Sequence, residues 1–111
     1  MLLVAVFVVQ VPAQNNDKKL LFDAIEQNDV TTVKRLIKNG IDVNVEALRG
    51  NDNYSCLAFA CFKNNVTMVK LLLQAGADVN AKSGFFSSTA LIYAITSKNP
   101  EIVKLLLQAG A

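Results

Sequence analysis

The 111-residue chain contains no histidine. It therefore has no imidazole to act as general base, metal ligand or pH switch near neutrality. Cysteine occurs twice, at Cys56 and Cys61. Two thiols without a histidine do not complete the usual zinc ligand set. Five residues apart on a helix, they stand beyond the roughly 7 Å that a disulfide spans between Cα atoms. They read as buried small hydrophobes. Charged residues make up 18% of the chain, and the net charge is +2 with both signs interspersed. That field is too weak to argue for nucleic acid or an anionic membrane as partner. No glycine-rich phosphate loop is present. The unbroken apolar run Met1–Val9 is about half the ~20 residues a membrane-spanning helix needs.

What the chain does have is apolar content, at 52%, enough for one cored domain rather than a disordered segment. It also repeats itself. The nine residues VKLLLQAGA stand at Val69–Ala77 and again at Val103–Ala111. Three segments align without gaps around them: Lys19–Glu46, Ser55–Lys82 and Thr89–Ala111. Ala24, Ala60 and Ala94 correspond, as do Gly40, Gly76 and Gly110, and each alanine precedes its glycine by 16 positions. The units recur after 36 and 34 positions, so length varies only between them, where loops tolerate it.

Each unit reads as two short helices. In the middle one, Leu57, Ala60 and Cys61 fall at helical spacing. Asn64 suits a left-handed helix end, and Asn65 suits the cap of the next helix. Met68, Val69, Leu71, Leu72 and Leu73 then form a wide apolar stripe, which Gly76 ends. In the third unit Asn99-Pro100-Glu101 gives cap, first-turn proline and first-turn acid in order. Asp29 takes the capping place in the first unit. A helix pair of this size does not bury both its faces alone, so the units must stack.

These residues resemble the ankyrin repeat. The family's T-P-L-H-x-A opening is matched by Ser55-Cys56-Leu57-Ala58-Phe59-Ala60 and by Thr89-Ala90-Leu91-Ile92-Tyr93-Ala94. Its V-x-x-L-L-x-x-G-A-D-V-N second helix is matched by Val69–Asn80 and, more weakly, by Val33–Asn44. The recurrence is near the family's period of about 33. The resemblance covers residues 17–111, with repeats over 17–47, 53–82 and 87–111. It implies an all-α solenoid of stacked helix-turn-helix units joined by β-hairpin or loop fingers. The family's proline and histidine are missing from every unit. That histidine normally hydrogen-bonds between neighbouring turns, so a looser stack is expected. The fingers Asp42–Ser55 and Asp78–Thr89 carry Gly50 and Gly84 where a tight turn needs positive φ.

Residues 1–13 stand apart and hold no charged side chain. Val11 and Ala13 fit the small-residue rule of a secretory signal cleaved after Ala13. No lysine or arginine precedes the run, and it is shorter than the usual signal of about 15–30 residues. The alternatives are an apolar cap on the first repeat, or a strand. A cleaved signal implies a secreted or periplasmic protein; otherwise the protein is cytoplasmic.

No catalytic constellation emerges. Asp23, Glu26 and Asp29 read as a solvated helix face, and Ser87-Ser88-Thr89 as a loop and helix cap without a base partner. No cofactor and no metal is expected. By the resemblance, the function is non-enzymatic protein–protein interaction, as a scaffold or adaptor. The other reading is the targeting arm of a longer enzyme, effector or toxin. The resemblance places binding on the concave face, at the ends of the first helices and on the fingers. Here those positions are Glu26, Gln27, Phe62, Lys63, Thr96 and Ser97. On the fingers they are Glu46, Arg49, Asn51, Asp52, Asn53 and Tyr54, then Lys82, Phe85, Phe86 and Ser88. The aromatic members are typical interface anchors. Phe85 or Phe86 either projects or folds back on the stack; Phe62 and Tyr54 are expected partly exposed. Phe59 and Tyr93, at the position held by Asp23 in the first unit, are expected to pack between neighbours. The last unit keeps the full Leu105-Leu106-Leu107 stripe and stops before the Asp-Val-Asn of the middle unit. That pattern fits a fragment of a longer array, or an open end covered by self-association.

Overall fold

The computed structural model describes residues 15–49, 52–84 and 86–111. The leader expected over residues 1–13 lies outside the described residues, as do Gly50, Asn51 and Phe85. The described elements are α1 (Asn15–Glu26), α2 (Val30–Lys38), β1 (Glu46–Arg49), β2 (Asp52–Ser55), α3 (Cys56–Phe62), α4 (Val66–Gln74), α5 (Ala90–Thr96) and α6 (Pro100–Gln108). They form three helix pairs. α3 packs between α1 and α5 in one layer, and α2, α4 and α6 follow one another in a second. This is the helix-pair stack that the repeat implies.

Local chemistry sets the helix ends. The Asp29 carboxylate accepts from the Thr32 N–H at 3.2 Å and from the Thr32 hydroxyl at 2.6 Å. Those bonds, the hydroxyl's foremost, hold the Asp29 carboxyl below its ordinary value. Asn65 Oδ1 accepts from the Met68 N–H, and Asn99 Oδ1 accepts from Glu101 and Ile102. Ser55 caps α3 through the Ala58 N–H. These bonds satisfy N–H groups that a helix start leaves without a partner. The first helix of each pair is followed by a residue in the left-handed region: Asn28, Asn64 and Lys98, with φ of 59°, 62° and 58°. Asparagine tolerates that region; lysine does so at a cost.

The core runs along the stack. Cys56 through Cys61 are all buried, because α3 has helices on both sides and α4 beneath it. Of the second-helix stripes, Leu36, Leu72 and Leu106 are buried. They stand at equivalent places, each four before its glycine. The two fingers differ. The first forms a β1–β2 antiparallel pair, from Glu46 opposite Ser55 to Arg49 opposite Asp52. The second, shorter by two residues, makes a bridge between Ser83 and Ser88.

The stack lacks the family's histidine, yet other side chains tie the units together. Asn44 donates to the Gly76 carbonyl at 3.1 Å and accepts from the Asp78 N–H at 2.7 Å. The buried Ser83 hydroxyl accepts from the Ser55 N–H at 2.9 Å. Asn99 donates to Asn64 Oδ1 at 2.7 Å. Polar bonds of this kind each contribute about 1 kcal/mol net. The missing histidine therefore does not leave the units without polar cross-links.

Cys56 and Cys61 are free and buried. Burial pushes each thiol from its ordinary 9.0 up to about 12, with the charge of Asp42 adding to the effect at Cys56. Below pH 9 both states of the chain keep these protons. Between about 9 and 12 the unfolded chain releases them and the folded chain does not, so this contribution to stability falls as pH rises. Denaturant melts should show stability declining above pH 9, and Cys56→Ala/Cys61→Ala should flatten that decline. Iodoacetamide at pH 8 should label the folded chain only as fast as it opens.

Candidate protein-binding face

The fold brings part of the expected face together around α3. Phe62, at the last turn of α3, is 63% exposed. Tyr54 is half-buried on β2, the strand that leads into α3. Phe59 lies one turn before Phe62 and is buried, with its ring 6.2 Å from that of Phe22. Tyr93 on α5 holds the place of Phe59 in the next unit, and its ring is 6.1 Å from Tyr54 at an interplanar angle of 58°. Tyr54, Phe59, Phe62 and Tyr93 together line a cup of about 170 Å³. Its walls come from two repeats and one finger.

The tyrosine wall is fixed by the second finger. The Tyr93 hydroxyl donates to the Ser83 carbonyl at 3.2 Å. The Gly84 N–H donates to the Asn53 carbonyl at 2.7 Å, which ties the second finger to β2. Gly84, at φ +78°, leaves room for both hydroxyls: an added Cβ would lie 2.5 Å from that of Tyr93 and 3.2 Å from that of Tyr54. Here the glycine is needed for both its φ and its lack of a side chain. Burial is the main cause that holds the Tyr93 phenol above its ordinary pKa; Tyr54 and the negative charge of Asp52 add to it.

The other expected positions are spread along the stack. Glu26 and Gln27 are exposed at the end of α1, as Thr96 is at the end of α5. The Thr96 hydroxyl donates back to the Ile92 carbonyl. Lys63 and Ser97 are half-buried, and Ser97 Oγ donates to the Cys61 carbonyl at 3.5 Å. On the fingers Glu46, Asn53 and Lys82 are exposed, while Asp52 and Ser88 are half-buried. Phe86 is 85% exposed, so it projects rather than folding onto the stack. Asn51 and Phe85 lie outside the described residues, as does the side chain of Arg49. Asp23 is partly exposed and pairs with Lys19 at 2.7 Å.

The sequence pattern favours packing between neighbours over recognition for Phe59 and Tyr93. They do pack, and they also form two walls of the cup. The signal lay in the sequence as Phe59 and Phe62 at i, i+3, with Tyr93 recurring at the Phe59 position 34 residues on.

A second apolar surface lies at the far end of the stack. Ile95 and Leu107 are 58% and 54% exposed there, beside Val103, Pro100 and the stem of Lys104. Among the described residues no group of three or more acidic or cysteine side chains is placed to hold a metal ion. No helix of the described residues is long and apolar enough to cross a membrane.

A search of curated proteins found no match. The family model described as ankyrin repeats (3 copies) matches residues 2–83 and 21–111. With the recurring helix pairs, the fingers and a match over nearly the whole length, this chain belongs to the ankyrin repeat family.

Proposed function

We propose that this chain is a non-enzymatic scaffold or adaptor whose partner seats on the face formed by the first-helix ends and the fingers. Ankyrin repeats are generally protein–protein interaction modules, and the family is typically non-enzymatic. The observation that carries the choice of face is Phe62, a large aromatic left mostly in solvent at the mouth of an aromatic cup. Exposing such a ring is unfavourable in a free monomer, and rings of this kind are common binding anchors.

The test compares affinity capture and crosslinking for the wild-type chain, Phe62→Ala, Tyr54→Ala and Lys70→Ala. Lys70 is exposed on α4, the second helix of its pair, and serves as the control. A partner of this face should bind Phe62→Ala about tenfold or more weakly. Its binding to Lys70→Ala should be unchanged. If every captured protein binds the two aromatic variants as well as wild type, the assignment fails.

A second reading is favoured by the exposed Ile95 and Leu107. We propose that this end surface associates with another copy of the chain. The surface is the counterpart, one unit on, of the α3/α4 side that α5 and α6 cover.

A further inference from the structure

We propose that the aromatic cup formed by Tyr54, Phe59, Phe62 and Tyr93 binds an alkylated ammonium head, as carried by a methylated lysine of a partner segment. This rests on the reading of the concave face as the partner-binding face.

Size comes first. At about 170 Å³ the cup is well below the roughly 300–1,000 Å³ of a drug-sized ligand site. It admits one side-chain head.

The walls decide the chemistry. All four lining residues are aromatic. The face of an aromatic ring carries negative potential and attracts a cation, and several rings around one cation add their effects. Asp52, half-buried on β2, places one negative charge near Tyr93, and Lys63 follows Phe62 at the rim. Along the stack, Asp23 and Glu26 of α1 hold the places that Phe59 and Phe62 hold in α3. A chain approaching from that side passes Glu26, exposed at the end of α1, while Asp23 is ion-paired with Lys19.

Alkylation follows from the shortage of acceptors. A primary ammonium brings three N–H donors and a guanidinium five. The cup offers no carboxylate or amide among its lining residues; its two hydroxyls are that of Tyr93, which donates to Ser83, and that of Tyr54, which hydrogen-bonds with Tyr93. A bare ammonium would lose its water without replacement. An alkylated one keeps the charge and sheds the donors.

Three walls are built before any ligand arrives. Phe22 backs Phe59, the Tyr93 hydroxyl is bonded to Ser83, and Tyr54 meets Tyr93 over Gly84. Phe62 stands at the rim, largely in solvent. A preformed site loses little in ordering when it binds.

The experiment is an NMR titration of the protein with three small probes: choline, ethanolamine and the neutral choline isostere 3,3-dimethylbutan-1-ol. Choline should shift the ring resonances of Tyr54, Phe59, Phe62 and Tyr93. It should bind about fivefold or more tightly than either other probe. Phe62→Leu keeps an apolar rim without the π face, and it should remove that preference. Because Phe62 is exposed, the variant should fold, which its melting curve checks. Equal binding of the neutral isostere would show a plain apolar pocket and overturn the proposal. Equal binding of ethanolamine would overturn the alkylated head. Absence of ring shifts with choline would overturn the site altogether. If choline fails while Phe62→Ala still releases a captured partner, the concave-face reading stands and the ammonium site falls.

Discussion

Gly84→Ala is expected to destabilise the protein by about 2–3 kcal/mol, and Gly76→Ala by only about 1 kcal/mol. Both glycines have positive φ, +78° and +94°. An L-residue there costs about 1–2 kcal/mol whatever the space. They differ in what a Cβ meets. At Gly76 nothing lies within 4 Å; at Gly84 the Tyr93 hydroxyl lies at 2.5 Å. The end of a flexible side chain would simply move. Tyr93 is not free to do so without losing its bond to the Ser83 carbonyl and its packing on Tyr54.

A double-mutant cycle isolates that contact. Tyr93→Phe removes the oxygen at 2.5 Å and leaves Tyr54 at 3.2 Å as the nearest neighbour. Gly84→Ala should therefore cost about 1 kcal/mol less in the Tyr93→Phe background. Equal costs in the two backgrounds, by urea melts, would mean that the hydroxyl does not determine the need for glycine. The same change should displace one wall of the cup, so ring shifts from a bound probe should weaken with it.

The parts of this structure that were legible in the sequence are those set by neighbours along the chain. Asp29, Asn65 and Asn99 cap helices because a short side chain reaches an N–H two or three residues ahead. Asn64 and Gly76 end helices because they accept the left-handed region. Lys98 does the same work at Asn64's place in the next unit, and no local preference announces it. There the stacked fold imposes the conformation on a residue poorly suited to it. The cross-links were also hidden. Asn44 reaches the Gly76 carbonyl 32 positions away, and Ser83 reaches the Ser55 N–H 28 positions away. Which residues meet at that range depends on how one unit sits on the next. The cup is the same case. Tyr54 and Phe62 are legible as partly exposed aromatics, but their joining with Phe59 and Tyr93 needs the register of α3 against α5.

Leu72→Ala is expected to cost about 3–5 kcal/mol, and Leu107→Ala close to nothing. Both leucines belong to the twice-used VKLLLQAGA, which in sequence gives them similar standing. The structure separates them. Leu72 is fully buried, while Leu107 is 54% exposed. Truncating Leu72 leaves a cavity where α4 meets its neighbours in the stack, and partial relaxation does not fill it. A domain this small has total stability of roughly 5–15 kcal/mol, so the loss is a large share of it. It should lower Tm by on the order of 15 °C or more. The stack is held by contacts between adjacent units, so a weakened middle should also broaden the transition. At Leu107 the readout is different. If the surface around Ile95 and Leu107 associates, Leu107→Lys should leave Tm at low concentration unchanged and lower the mass seen by sedimentation equilibrium at high concentration. A wild-type chain that stays monomeric across that range would remove the self-association reading. The stability contrast between Leu72 and Leu107 would stand, because it depends only on which leucine lies between helices.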